Sequence, residues 1–515
     1  MNILFTSQGI EFSGMFSLYQ EFRRKTSVNS VGFYVSESRH YDSCVRDKDS
    51  FEEKFSVVKE WEVMEDALKK QLDYKKIKIL NQTYGDSNFW DAVVCDRRLY
   101  LGKNCKWKQD YKPQYTHEQL MLIIQTAINK LEKLLEDVKP DIVLSCDLAD
   151  FGKYLLWLIC KKKNIPMLVF RTTKIQSYIE AMDVTFGASS FMKQYFAEYN
   201  QQIVKDEFIE QAKSYLKEFE QHSIAYEGQI MLPINKGTTN SKTIIFRLKE
   251  FFTILFSEIK YRRFFKSDHQ VIPPLKFYIY NEYFSKWKYN YYSYRLKSIY
   301  QDLNMLTKCE YVFFPMHSEP ELATLVWGKG AMNQIEVIRN IARSLPIHYK
   351  LAVKEHPRSL GYRKLSYYKK LLNIPNVVLV NPLEEVRDII LNSKMVISIS
   401  TFVAFEAVLL KKPSMMLGEK RPFSLLDTNM LRYVSDFNNL FKEIDLFLKE
   451  YQFNYTNLIS YIAATIKSSI PINYFTDFLK KQQRFKKENI NSEESMKKSA
   501  NYLLKKISSV TINKI

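Results

Sequence analysis

Seven histidines are spread over 515 residues, and one of them stands where an imidazole could do chemistry. His356 lies in Lys354-Glu355-His356-Pro357, at the end of the apolar run YKLAVK and directly before a proline. Proline fixes its own φ and biases the preceding residue toward extended backbone, so the run ends there with the imidazole at its mouth. A hydrogen-bond-donating or cationic imidazole in that place suits a leaving phosphate. The bland alternative is a histidine satisfied by its neighbours.

Three further groups close apolar runs in the same way. Ser400 and Thr401 end KMVISIS and precede a helical pattern containing Glu406. Hydroxyls at a helix start either cap its amides or, with those amides, hold a phosphate, and Glu406 one turn in could bond ribose hydroxyls. His317, Ser318, Glu319, Pro320 and Glu321 follow EYVFFPM as a candidate ligand wall. Asp147 and Asp150 follow DIVLSC and could deprotonate an acceptor hydroxyl, or cap the next helix. The loop SQGIEFSG has glycines but not the GxGxxG spacing, so it is not read as dinucleotide-binding.

The elements that must position these groups are those of an α/β fold. NILFTS reads as a strand leading through a loop to a helix. Residues 117–138 place apolar residues at helical spacing, and KPDIVLSCD, FGKYLLWLICKKKN and IPMLVF follow as strand, helix and strand. From residue 309 short Val-, Ile- and Phe-rich runs alternate with amphipathic helices up to KPSMMLG. Such alternation implies parallel, doubly wound sheets, whose ligands sit beyond the carboxyl ends of the strands. The expected organisation is a Rossmann-like domain at 1–204, a basic, aromatic helical insert at 205–305, a second Rossmann-like domain at 306–435 and a helical tail at 436–515.

Composition sets the outer bounds. The length exceeds one ordinary core, and 46% hydrophobic with 26% charged residues describes a globular rather than disordered chain. A formal charge of +19 favours anionic partners. Six cysteines without CxxC or zinc-ligand spacing read as free thiols of a reducing compartment. No secretion signal and no membrane-spanning apolar window is seen, so the expected location is cytoplasmic. Residues 241–300 hold twelve Lys/Arg, four Asp/Glu and eighteen aromatics. That mixture fits an anionic membrane interface, a single-stranded nucleic-acid surface, or a packed linker with a solvated basic face.

Taken in order, FFPMHSEPE, NQIEVIRNIARSLP, LAVKEHPRSLGYR, IPNVVLVNP and ISISTFVAFEAVLLKKPSMMLG resemble the C-terminal half of the capsule polysaccharide biosynthesis family, which includes the Kdo (3-deoxy-octulosonate) transferases. More distantly they resemble bacterial sialyltransferases that share a His-Pro motif. The resemblance implies a GT-B fold and transfer from a nucleotide-activated sugar without a metal or other cofactor. It implies that His356 and Pro357 form the His-Pro motif on the donor phosphate, and that Ser400 and Thr401 form the hydroxyl turn. Glu406-Ala407 would be the Glu-Ala pair and Glu321 the acid of the Pro-Glu pair, with Lys354, Glu355, Gly361 and Arg363 also fitting the pattern. The family's turn before Glu-Ala carries glycine; here it is Phe402-Val403-Ala404-Phe405.

The expected function is therefore transfer of a Kdo-like sugar from a CMP-linked donor to a glycan or glycolipid of a surface polysaccharide. The expected partners are that donor, that acceptor and the anionic inner face of the plasma membrane, and not nucleic acid. A UDP-sugar 2-epimerase, a transferase using UDP-sugar or CDP-glycerol, and a non-catalytic assembly protein are the alternatives.

Overall fold

The chain folds around two separate sheets in the computed structural model, which describes residues 1–45, 47–85, 88–105, 113–184, 186–224, 244–419, 421–479 and 492–512. The first sheet contains β1 (Asn2–Ser7), β2 (Ser30–Val35), β3 (Ser56–Lys59), β4 (Ile142–Ser145), β5 (Met167–Thr172) and β6 (Tyr178–Met182). The second contains β7 (Tyr311–Pro315), β8 (Lys350–Lys354), β9 (Val377–Val380), β10 (Met395–Ser398), β11 (Ser414–Leu417) and β12 (Leu431–Val434). A two-residue strand, β13 (Ile470–Pro471), completes the first sheet.

The second sheet runs β12-β11-β10-β7-β8-β9, parallel throughout. Its order reverses between β7 and β10, which opens a crevice at their carboxyl ends. The first sheet runs β13-β6-β5-β4-β1-β2-β3. Its strands β1 to β5 are parallel, with the reversal between β1 and β4, and β6 and β13 add an antiparallel edge. The protein is thus two doubly wound, Rossmann-like sheets in a GT-B-like pair. Strands β7, β10 and β11 are buried at every position, because helices cover both faces.

The helices follow from local signals. Thr116 caps His117–Val138 in a reciprocal box with Gln119, and ten apolar or small residues along that helix are buried. Asn333 accepts from the amides of Ile335 and Glu336 to start Gln334–Ser344. Helix Phe151–Lys162 contains Gly152 for a packing reason. A Cβ there would stand 1.6 Å from the Tyr34 hydroxyl oxygen of β2.

The two halves are tied in both directions. Leu325 and Val326, after β7, are buried in the same core as Leu4, Tyr34 and Phe151 of the first half. The stretch expected as a helical tail instead returns to the first half. Helix Tyr455–Ser468 packs on Ser190–Asn200, β13 pairs with β6, and helix Ser492–Ile512 lies against Glu11–Lys25. The reason is apolar: Met496, Ala500, Leu503 and Ile507 complete the core around Phe12, Met15 and Phe22. Each large aliphatic side chain buried this way contributes about 1.5–3 kcal/mol.

Between the sheets, helix Ile244–Phe264 and the helical run from Pro274 to Leu296 form a hairpin. Its connection is not a solvated loop: Asp268, His269, Gln270 and Val271 are buried against the first half. Among the described residues no helix is long and apolar enough to cross a membrane.

Gly152→Ala is expected to destabilise the chain by about 1–3 kcal/mol, the usual cost of forcing an atom into a packed site. A urea unfolding midpoint unchanged from wild type would contradict the contact.

Candidate functional site

The turn after β10 is the centre of the site. Ile399 is fully buried, and Ser400 then takes a left-handed conformation (φ 44°), which L-residues other than Asn, Asp and Gly adopt rarely. That twist lets the chain leave the strand and enter helix Phe402–Leu409 without a glycine. Thr401 sits at the helix N-cap with extended backbone but makes no capping hydrogen bond. The Ser400 Oγ and Thr401 Oγ1 atoms are both buried without a hydrogen-bond partner. Two hydroxyls without partners therefore stand beside the uncapped start of a helix, a ready arrangement for an oxyanion.

His317 joins this turn to the end of β7. Its Nε2 bonds the Ile399 carbonyl oxygen and its Nδ1 bonds Glu321, while its backbone amide donates to Gln334 Oε1 (2.7 Å). Burial alone would push the Glu321 carboxyl up; the charge and hydrogen bond of His317, with Arg97 and His356 nearby, outweigh it and hold Glu321 below its ordinary range. His317 thus fixes the crevice between β7 and β10.

The β8 end is braced from beneath. Arg363 is fully buried; its Nη1 donates to Glu355 Oε1 (2.6 Å), its Nη2 donates to the His317 carbonyl (2.5 Å) and approaches Glu319 Oε2 (3.5 Å). The Tyr368 hydroxyl bonds the other oxygen of Glu355. Glu355 and Arg363, expected to touch the donor, thus form an internal ion pair behind the pocket wall. Lys354 is also buried, and desolvation lowers it to about 8 against the opposing pull of Glu385 and Glu384. His356 is exposed at the strand mouth, and Pro357 starts the turn Pro357–Ser359, whose Ser359 Oγ donates to Ser318 Oγ (2.6 Å). Glu406 lies half-buried close enough to the Tyr215 phenol to raise it further, after burial.

The first half holds a charged cluster of its own after β4. Lys153 Nζ is completely buried and contacts Glu11 Oε2 (2.7 Å), Asp147 Oδ1 (3.1 Å) and Asp150 Oδ2 (3.3 Å). Asp150 is fully buried, caps helix Phe151–Lys162 through the Lys153 amide (2.9 Å) and accepts from Ser36 Oγ (3.0 Å). That corrects its expected role: burial raises it strongly, and no face of it is open to an acceptor. Asp147 keeps about a third of its side chain exposed. Burial pushes its carboxyl up, but Lys153, the Ala149 amide and Arg171 together bring it below the ordinary value. Contacts across the crevice include Arg97 Nη1 to the Pro320 carbonyl (3.1 Å) and the Arg171 guanidinium 6.0 Å from the Trp327 ring centre.

Lys153, Glu11 and Arg171 are site groups that spacing alone did not single out. Lys153 carried a signal, as a lone cation in the apolar helix FGKYLLWLIC. A second buried cluster also went unmarked: Glu60, Asp96 and His269 bring one ligand atom each within 4.8 Å of one another.

No protein family matches the sequence, and no curated protein does. Among solved structures, the chain is similar to KpsC from Thermosulfurimonas dismutans, a β-Kdo 2,7 transferase, at 10% identity and TM-score 0.34, over 75% of this chain and 97% of that one. The β-Kdo 2,4 transferase KpsC of the same organism gives 11% and 0.33, over 63% and 79%. The UDP-GlcNAc 2-epimerase of Neisseria meningitidis gives 14% and 0.23, over 90% and 97%.

Ser400→Gly removes the Cβ that strains the left-handed turn and a hydroxyl that has no partner, so it is expected to stabilise the chain by about 1 kcal/mol relative to Ser400→Ala. Identical urea midpoints for the two variants would contradict the strain.

Proposed function

We propose that this protein is a glycosyltransferase that moves a Kdo-like acidic sugar from a CMP-activated donor to a hydroxyl of a glycan or glycolipid. The observation that carries the reading is the pair of buried, unpartnered hydroxyls at Ser400 and Thr401 at the start of helix Phe402–Leu409, in the crevice where the strand order reverses. Unsatisfied buried donors are costly, and an anionic ligand removes that cost. The acceptor oxygen forms a bond to the anomeric carbon as the bond from that carbon to the phosphate oxygen breaks. The electron pair departs with CMP, and the acceptor proton goes to a base.

In this reading Ser400, Thr401 and the helix amides receive the developing phosphate charge. Each well-aimed donor of that kind is worth about 2.7–4 kcal/mol in a transition state. His317 holds the turn in place, and His356 at the mouth supplies a further donor. Asp147, part exposed and ionised, is the base on the opposite wall. No step of this scheme uses a metal.

Thermal shift with CMP, CDP and UDP tests the donor class. CMP is expected to stabilise the chain most, and Ser400→Ala or Thr401→Ala to abolish the shift. A larger response to UDP would favour the UDP-sugar epimerase or transferase instead, and no response to any nucleotide would overturn the enzyme reading. With a CMP-linked donor, either hydroxyl variant is expected to lose about 10²-fold in turnover.

The acceptor side of the proposal is a lipid-linked glycan met at an anionic membrane. Fourteen of the twenty-eight large apolar side chains exposed among the described residues fall between Leu248 and Tyr294, including Phe252, Phe256, Trp287 and Tyr294. The same stretch carries Lys249, Lys260, Arg262, Arg263, Lys276 and Lys288. Apolar anchors beside cations match an anionic interface, where each basic residue adds about 1 kcal/mol. In flotation assays the chain is expected to rise with phosphatidylglycerol vesicles and not with phosphatidylcholine ones. Replacing Phe252, Phe256 and Trp287 by serine is expected to abolish flotation while leaving the nucleotide shift intact; undiminished flotation would remove the membrane from the account.

A further inference from the structure

The buried cluster at the base of the hairpin lies outside the crevice and has no part in the scheme above. Glu60 directly follows β3, Asp96 precedes helix Arg97–Leu101, and His269 comes from the connection inside the hairpin. All three are at least 98% buried. His269 Nε2 stands 3.0 Å from Asp96 Oδ2 and 3.2 Å from Glu60 Oε1.

Each carboxylate has one oxygen fixed by the protein and one aimed at the imidazole. Asp96 Oδ1 accepts from the amides of Arg98 (3.0 Å) and Leu99 (3.0 Å). Glu60 Oε2 accepts from the Tyr34 hydroxyl and from the Gly152 amide (3.2 Å). The remaining Glu60 Oε1 is buried and has no neighbour of that kind but the His269 ring nitrogen, 3.2 Å away. Fixing one oxygen with outer donors and presenting the other is how metal-binding carboxylates are oriented.

Three elements bring polar atoms to a single point here. Gln270 Nε2 lies 2.9 Å from His269 Nε2 and 2.5 Å from Asp96 Oδ2. Either a proton on His269 Nε2 or a cation in its place answers the two carboxylate oxygens that face it. Ligand atoms held about 2.0–2.2 Å from a cation stand roughly 3.0–3.4 Å from one another, which matches the two separations observed here. Arg98 does not neutralise the pair directly, since its Nη1 donates to the backbone oxygen (2.6 Å) and Oε1 (3.1 Å) of Gln270.

We propose that Glu60, Asp96 and His269 bind one divalent transition cation, and that this ion clips the hairpin to the first sheet. One imidazole and two carboxylates suit Zn²⁺ first and Mn²⁺ or Fe²⁺ next. Full burial makes the role structural, with His269 supplying the hairpin's own ligand. Neighbouring bonds reinforce the clip: Asp268 Oδ2 accepts from the Ser38 amide (2.7 Å) and hydroxyl (2.6 Å), and Gln8 Nε2 donates to Gln270 Oε1 (3.0 Å).

The test uses the full chain, stripped with EDTA and desalted, then offered Zn²⁺, Mn²⁺ or Co²⁺. About one equivalent is expected to remain after desalting, measured by mass spectrometry of the metals, with a higher Tm for the reloaded protein. Bound Co²⁺ is expected to show visible absorption bands. The isosteric Glu60→Gln and the His269→Gln variants are expected to lose the equivalent and the Tm response, with far-ultraviolet circular dichroism reporting whether each is folded. Retention below about 0.1 equivalent of every ion by the wild-type chain would overturn the site. Retention of a full equivalent by both folded variants would overturn it equally, because the ion would then bind elsewhere. If both variants fail to fold, the wild-type retention, Tm and Co²⁺ absorption decide alone.

Discussion

One buried guanidinium holds the second half in working shape. Arg363 cannot lose its proton, so a chain that buries it must surround it with acceptors. Those acceptors are the Glu355 carboxylate, the His317 carbonyl and Glu319, with the Tyr367 ring 5.1 Å from the guanidinium carbon. The consequence is geometric. Glu355 ends β8 and His317 ends β7, so the cation locks two adjacent strand ends together, and His317 then reaches the β10 turn through the Ile399 carbonyl. Three strand ends are therefore set relative to one another by residues that never need to touch a ligand. Ser400 and Thr401, whose hydroxyls have no partner, lie on the turn that His317 reaches. Preorganised donors of this kind need no rearrangement when charge appears in front of them.

The first half uses the same logic with opposite sign. Lys153 is a buried cation among three carboxylates, and removing it would leave negative charge stranded in a low dielectric. The environment then divides the acids: Asp150 is dry and committed to a helix cap, while Asp147 is part exposed and held ionised. Two aspartates three residues apart in sequence thus have different chemistry. Helix Phe151–Lys162 begins directly after Asp150, placing Asp150 at its cap and Asp147 three residues before the cap.

What the sequence revealed follows from how locally each feature is encoded. Strands YVFFP, KLAVK, VVLV, MVIS and SMML are legible because parallel strands covered on both faces become short, continuous apolar runs. β3, whose four residues are all only half-buried, leaves no such run, and β13 is too short to leave any. At the site, residue types at strand ends pointed to the Ser400–Thr401 turn, but the left-handed φ of Ser400 has no signature in a serine. The capping alternative for Thr401 and the base alternative for Asp150 were equally local, and tertiary surroundings reversed the two. Roles that depend on distant partners were invisible: His317 meets Ile399 82 residues away, and His269 meets Asp96 173 residues away.

The hairpin links these arrangements into one mechanical unit. At its base, Asp268 accepts from Ser38 after β2, Gln270 meets Gln8 after β1, and His269 lies beside Glu60 after β3. Further along, helix Ser285–Leu296 packs on the loop after β8. Gly361 has φ 88° there, and a Cβ on it would stand 3.2 Å from the Lys288 side chain and 3.3 Å from the Tyr289 amide. Only glycine combines that backbone conformation with so close an approach. The hairpin therefore touches the first sheet at one end and the turn after His356 at the other. Any change in the distance between the two sheets must move the hairpin or break one of these contacts. The hairpin also carries half of the large apolar side chains exposed among the described residues, so the element that spans the two halves is the one with the largest exposed apolar and basic surface. In a transferase that meets its acceptor at a surface, this coupling would let docking and crevice geometry be set by the same element.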